Sequence, residues 1–242
     1  MQTAHIIGVV GGSGGVGASV LSAAIAIRAA QAGLRPVCLD GDRLGGGLDV
    51  TLGIEQERGV RWPDLAGARG RIDGPELLRR LPSADGVGVL SFDRARDVPL
   101  APEIVSDVFL ALSAAADVLV ADLPSPDHPI FEALAPSVDA MVLLAGSGIR
   151  DLAGASAIAG HLIDACPEVW LCLRTSGMGG HFADTVADAL DLPLLAVVRE
   201  EPSLAADLLH GIPPGSSAKG ALAAAADAVL ARCVVGSRRD AS

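Results

Sequence analysis

The stretch VVGGSGGVGASV, residues 9–20, joins the end of an apolar run to an Ala-rich segment through five glycines. Glycines in such a turn let successive backbone N–H groups point at a phosphate bound to the N-terminus of a helix. An apolar strand at 5–10 and a helix that begins near residue 18 provide the strand–turn–helix setting in which this pattern is informative. The stretch therefore predicts an α/β fold with a phosphate-binding loop after its first strand.

The loop fits two nucleotide-binding patterns. Residues 12–17 match G-x-G-x-x-G, and Asp40 closes the second strand at about the spacing of the ribose-binding acid in a Rossmann site for NAD(P). The same loop also matches a P-loop, with Ala18 in place of the lysine and Ser19 as the Mg²⁺-binding hydroxyl. A third interpretation is a tight strand-to-helix turn that binds no ligand.

Asp122 favours the P-loop interpretation. It ends an apolar run over 118–121, where a P-loop ATPase places the acid that holds Mg²⁺ through water. The chain has no Tyr, which excludes the Tyr/Lys proton transfer of short-chain dehydrogenases. We therefore place the P-loop first and keep the Rossmann site as the more distant alternative.

Short β-branched runs alternate with Ala/Leu-rich segments along the chain, a pattern typical of parallel strands joined by helices. We predict a single-domain, three-layer P-loop NTPase fold: a mostly parallel twisted sheet of about seven strands with helices on both faces. The predicted strands are 5–10, 36–40, 87–92, 117–123, 140–145, 169–174 and 194–198. Predicted helices lie near 18–32, 75–81, 102–116, 127–135, 149–165, 181–190, 202–210 and 217–232. We expect this domain to cover residues 1–233 and a disordered tail to cover 234–242.

Composition and charge exclude several function classes. The net charge of −11 argues against nucleic-acid binding, and the six arginines within 58–80 alternate with acidic residues, which predicts a solvated mixed-charge face. No apolar run approaches the ~18 residues that span a bilayer, so we expect a cytoplasmic protein. The four cysteines show no C-x-x-C pair, which predicts reduced, buried thiols.

Taken together, the motifs resemble the MinD/ParA family of deviant Walker P-loop ATPases. Residues 13–19 match the family's loop, Asp40-Gly41-Asp42 its second motif, and Asp122-Leu123-Pro124 its Walker B strand end. The stretches 42–49 and 59–65 are similar to the CpaE/TadZ-like branch and its septum-site-determining relatives.

The resemblance implies that ATP or ADP with Mg²⁺ is the cofactor. It places the Mg²⁺ on Ser19, Asp42 and Asp122, partly through water, and Asp42 would orient the attacking water. Arg174 and the segment 199–202 would contact the base. The implied nucleotide-binding residues are Gly12, Ser13, Gly14, Gly15, Val16, Gly17, Ala18, Ser19, Val20 and Arg174. Alternatively, Ser19 is only a helix N-terminal hydroxyl, and Asp42 and Asp122 are only turn acids.

The loop departs from the family at both of its lysines. Ser13 stands where the signature lysine reaches the partner's nucleotide, Ala18 replaces the P-loop lysine, and the single lysine of the chain is Lys219. A charge-assisted hydrogen bond contributes about 1.5–3 kcal/mol, so we expect nucleotide binding to be weakened about ten- to hundredfold. Hydrolysis should be very slow or absent, because phosphoryl transfer depends on placed cations. The alternative is an active ATPase that uses a substitute cation.

The resemblance also implies protein partners, in a Tad-type pilus or secretion machine or at the division septum. It implies a nucleotide-sandwich homodimer, which should depend less on ATP here because Ser13 replaces the bridging lysine. Residues 219–226 are too small and too weakly basic to form an amphipathic membrane anchor. Any recruitment to the inner face of the membrane would therefore go through a partner.

Overall fold

The computed structural model describes residues 4–96, 98–177 and 180–235. The strands of this part are β1 (His5–Gly11), β2 (Pro36–Asp40), β3 (Ser83–Ala84), β4 (Val87–Leu90), β5 (Val118–Leu123), β6 (Ala140–Gly146), β7 (Val169–Thr175) and β8 (Leu194–Arg199). They form one sheet in the order β3-β4-β2-β5-β1-β6-β7-β8. All pairs are parallel except β3 with β4. The mostly parallel α/β sheet is confirmed, and the short β3 adds an eighth strand to the seven predicted.

The helices of the described residues are α1 (Ala18–Gln31), α2 (Leu48–Thr51), α3 (Trp62–Leu65), α4 (Gly74–Arg80), α5 (Pro102–Ser113), α6 (Pro129–Leu134), α7 (Ile149–Ala165), α8 (Gly180–Leu190), α9 (Leu204–Leu209) and α10 (Ala221–Leu230). A 3₁₀ turn follows α6, and a π-helical turn over Ala231–Val235 follows α10. Val234, the first residue of the predicted tail 234–242, is buried in this turn. Residues 236–242 of that tail lie outside the described residues.

Helices cover both faces of the sheet and form two apolar cores. One core packs α1, α10 and the first leucine of α2 against one face. The other packs α4 to α8 and the Trp62 ring against the opposite face. The strands β2, β4, β5 and β6 are buried at every residue, as expected for a doubly covered parallel sheet.

The strand order excludes the Rossmann alternative. In a dinucleotide-binding sheet β1 and β2 are neighbours, whereas here β5 lies between them and pairs with both. Asp122 on β5 therefore lies beside the loop that follows β1, as the P-loop interpretation requires.

Arg61 does not fit the predicted solvated face. It is 6% exposed, and its Nε lies 3.9 Å from Oδ2 of the buried Asp49. Arg94 donates two hydrogen bonds to the same carboxylate, at 2.9 and 3.2 Å. This arginine therefore belongs to a buried ion pair.

Candidate functional site

The glycine loop lies between β1 and α1, at the carboxyl edge of the sheet. Gly15 and Gly17 have φ values of +76° and +104°, in the left-handed region that favours glycine. A Cβ added at Gly14 or Gly15 would meet nothing within 4 Å. Within the described residues, no acceptor of the chain pairs with the N–H groups of Gly14, Gly15 or Gly17. The loop can therefore offer these donors to an anion at the N-terminus of α1.

The back of the loop is fixed against β6 and α7. The Gly12 N–H donates to the Leu144 carbonyl at 2.9 Å. A Cβ added at Gly12 would lie 2.9 Å from the Ala155 Cβ, and one added at Gly154 would lie 2.2 Å from the Gly12 oxygen. The Val16 side chain is buried in the core below α1. Gly12 and Val16 thus shape the loop, while Gly14 and Gly15 form its exposed part.

Ser13, at the position of the family's signature lysine, bonds within the chain. Its hydroxyl donates to Oδ1 of Asp151, in the first turn of α7, at 2.6 Å. Ala18 is the first residue of α1 and contributes only a methyl group. The motifs did not reveal Asp151, although an acidic residue shortly after the end of β6 is a signal that could have identified it.

Asp122 lies beside the first turn of α1. Ser19 and Ser22 both donate side-chain hydrogen bonds to its carboxylate, the Ser22 bond measuring 3.2 Å. Burial raises the pKa of Asp122 to about 6, against the lowering effect of these two hydroxyls. The structure thus brings together Ser19 and Asp122, which the sequence assigned to Mg²⁺, and adds Ser22, which the sequence analysis missed.

Asp40 is buried and holds the next loop. Its carboxylate accepts hydrogen bonds from the Asp42 and Leu48 N–H groups, both at 3.1 Å, and its carbonyl accepts one from the Trp62 indole at 2.8 Å. Burial, followed by the charge of Asp122, raises the pKa of Asp40 to about 8. With both of its oxygens bonded to backbone, Asp40 acts as a structural acid.

Asp42 is exposed and turned into its own loop, where its Oδ1 accepts the Leu44 N–H at 3.0 Å. Its charge raises the pKa of Asp122, so the two carboxylates lie at one edge. In the described part of the chain, no three His, Cys, Asp or Glu side chains form a ready metal site. The oxygen donors of Ser19 and Asp122 nevertheless fit Mg²⁺, which keeps several water and phosphate ligands.

A cleft of 480 Å³ opens beside the loop, lined by Gly15, Val16, Val20, Arg174 and Leu208 among others. Arg174, at the end of β7, donates from Nη1 to the Val16 carbonyl at 3.1 Å. Its Nη2 donates to Oε1 of Glu200 at 3.2 Å. The structure therefore places Arg174 and Val20 beside the loop and pairs Arg174 with Glu200, which belongs to the segment 199–202 that the resemblance named together with it.

A comparison of sequences gives a relative that is similar to most of this chain. The chain is 36% identical over 206 residues to an uncharacterized protein of Mycobacterium tuberculosis, a match that covers 85% of this chain and 57% of that protein. The chain thus spans little more than half the length of this relative. No protein-family model matches the chain.

Two solved structures share the fold. A ParA family ATPase from Chlorobium tepidum superposes with a TM-score of 0.82 at 18% identity, over 94% of this chain and 98% of that one. The septum site-determining protein MinD from Pyrococcus horikoshii, complexed with Mg-ADP, gives 0.76 at 22% identity, over 93% and 96%. The fold of this chain is therefore the P-loop NTPase fold of ParA and MinD.

Proposed function

We propose that this protein is a MinD/ParA/CpaE-like spatial regulator, acting in Tad pilus or secretion assembly or in septum-site placement. It binds Mg-nucleotide weakly and hydrolyses little or no ATP. One observation carries the proposal: the loop keeps open N–H groups beside Ser19 and Asp122, while neither Ser13 nor Ala18 provides a positive charge.

Weak nucleotide binding is supported by the groups that remain. The loop N–H groups can accept a phosphate, and Ser19 with Asp122 can hold a Mg²⁺ ion that neutralises phosphate charge. In the proposed site Asp42 belongs to this edge and would orient water. The Mg-ADP complex of the Pyrococcus horikoshii MinD shows that a protein of this fold can take this ligand.

Loss of ATP turnover is supported by the uncharged residues, Ser13 and Ala18, that stand at the two lysine positions of the family. Ser13 is bonded to Asp151 and uncharged, so it cannot reach a partner's nucleotide as a lysine would. Ala18 leaves the β/γ-phosphate region without the cation that stabilises developing charge. Binding and positioning can survive these losses, but phosphoryl transfer should not.

Action through protein contacts is supported by two apolar side chains at the carboxyl edge. Leu44 is 87% exposed in the loop after β2, and Ile149 is 88% exposed at the start of α7. Ile149 begins the helix whose Asp151 bonds the loop residue Ser13, and Leu44 follows the proposed site residue Asp42. A partner bound to these side chains would therefore sense whether the site holds a nucleotide. None of the described helices has the length and apolarity to cross a membrane, and we propose that such a partner recruits the protein to the membrane.

A phosphate-release assay tests the proposal. We expect the natural protein to release no more phosphate from Mg-ATP than its Asp122→Asn variant, which lacks the proposed Mg²⁺ acid. Ser13→Lys/Ala18→Lys, which returns both lysines, should raise release well above that level. Release by the natural protein at the level of the double-lysine variant would refute the pseudo-ATPase proposal. It would favour the second candidate, an active ATPase for which Arg174 at the loop is the available substitute cation.

A further inference from the structure

Arg174 is placed where a phosphate would need a cation. Its guanidinium donates to the loop carbonyl of Val16 at 3.1 Å, and Nη1 lies 4.0 Å from the position that a Gly17 Cβ would occupy. Gly17 is the N-cap of α1, so the guanidinium lies next to the N–H groups that face outward from the loop. A nucleotide on the loop would therefore bring its phosphates near Arg174.

The acidic surroundings make such a cation necessary. Asp40, Asp42 and Asp122 lie at the same edge of the sheet, and no lysine stands in the loop. A polyphosphate that enters this edge meets repulsion from the charged carboxylates of Asp42 and Asp122, because Asp40, whose pKa burial raises to about 8, is mostly protonated at neutral pH. Backbone donors only partly offset this repulsion. An arginine suits this task because its planar fork binds phosphate oxygens in pairs.

In this structure a carboxylate already engages Arg174. Glu200 Oε1 accepts from its Nη2 at 3.2 Å, and the two side chains are 40% and 50% exposed. An ion pair this exposed is held weakly and can exchange its carboxylate for another anion. Glu200 lies in the segment that follows β8, on the wall of the same cleft.

We propose that Arg174 binds the α- or β-phosphate of the nucleotide and that Glu200 competes with the phosphate for it. The proposal rests on the proposed function, because it requires a nucleotide on the loop. In this proposal Arg174 contacts the phosphates, whereas the family resemblance implied that it contacts the base. The proposal predicts that Arg174 raises the affinity for nucleotide and that Glu200, its ion-pair partner, lowers it.

The test is titration calorimetry of ADP and of adenosine with Arg174→Gln and Glu200→Gln. We expect Arg174→Gln to weaken ADP binding about tenfold or more and to leave adenosine binding unchanged, because one charge-assisted contact to phosphate is lost. Glu200→Gln should strengthen ADP binding severalfold, and Arg174→Lys should retain part of the affinity. The matched controls are Arg69→Gln and Glu132→Gln, which remove exposed charges outside the cleft and should change neither affinity.

Three results would overturn the inference while leaving the proposed function intact: ADP affinity unaffected by Arg174→Gln, equal weakening of ADP and adenosine, or weakening by both variants of the pair. The last would identify the ion pair as structural support for the cleft. Failure of both the natural protein and Glu200→Gln to bind ADP would overturn the proposed function together with this inference.

Discussion

At the scale of single residues, the candidate site combines side chains that the sequence motifs predicted with side chains that only the fold brings together. The loop glycines, Ser19 and Asp122 follow from the sequence, because each belongs to a short motif with a mechanical reason. Asp151 and Ser22 do not, because the residues that they contact lie too far along the chain for local spacing to pair them. Ser13 and Asp151, for example, are 138 positions apart and meet only because β6 lies beside β1.

The buried ion pair of Asp49 and Arg61 provides a stability prediction. Asp49→Asn should lower the free energy of unfolding by about 3–5 kcal/mol, because it leaves the Arg61 guanidinium buried without a carboxylate. Asp227→Asn is the matched control: Asp227 is half exposed and pairs with Arg28, so its loss should cost about 1 kcal/mol or less. Urea unfolding of both variants measures the difference. Equal losses would show that the buried pair stabilises the fold no more than the half-exposed one.

The four thiols provide a second prediction. Cys38, Cys166, Cys172 and Cys233 are all buried and outside any disulfide, and burial raises their pKa, to about 12 for Cys172 and Cys233. A raised pKa keeps a thiol protonated and unreactive at pH 8. Ellman's reagent at pH 8 should therefore label none of them quickly in the native protein and all four after unfolding in urea. Rapid labelling of the native protein would contradict the burial.

At the scale of elements, apolar runs between Gly and Pro punctuation were enough to predict seven strands and eight helices. Three elements escaped. The helices α2 and α3 have four residues each, too few for a periodic signal, and β3 has two. For β3 a signal existed: Asp85-Gly86 has positive φ at both residues, as in a type I′ turn of a hairpin.

Helix α7 holds the back of the loop, which allows a matched test within one element. Gly154→Ala would push a methyl group against the Gly12 carbonyl, so we expect a loss of about 1–3 kcal/mol and weaker Mg-ADP binding. Gly160→Ala lies on the exposed side of α7, where an added Cβ meets nothing within 4 Å. It should stabilise the protein by about 1 kcal/mol and leave Mg-ADP binding unchanged. Thermal unfolding and calorimetry measure both effects, and an unaffected Gly154→Ala would disprove the contact.

At the scale of the whole molecule, the order of the strands connects sequence to function. The order of strands along the chain does not reveal which strand lies between β1 and β2. The sequence alone therefore could not exclude the Rossmann pattern, and the position of β5 in the sheet does exclude it. That placement brings Asp122 to the loop, at the carboxyl edge where we propose that nucleotide and partner bind. The net charge argues against nucleic-acid binding and the cysteine spacing against a C-x-x-C redox pair, but neither identifies a partner.

The oligomeric state is predicted at this scale. Because Ser13 is bonded to Asp151 and cannot bridge to a second nucleotide, Mg-ATP should not change the molar mass of the natural protein in size-exclusion light scattering. Ser13→Lys/Ala18→Lys should gain a dimer that depends on Mg-ATP. A dimer of the natural protein that forms only with Mg-ATP would be the opposite result.

The most direct measurement is calorimetric titration of Mg-ADP into the natural protein and into Ala18→Lys. We expect the natural protein to bind with a dissociation constant in the micromolar range, and Ala18→Lys to bind about ten- to hundredfold more tightly, since one charge-assisted contact is restored. Binding by Ala18→Lys alone would contradict the central claim that the loop still accepts phosphate without its lysine, and would leave the fold as a scaffold for protein partners.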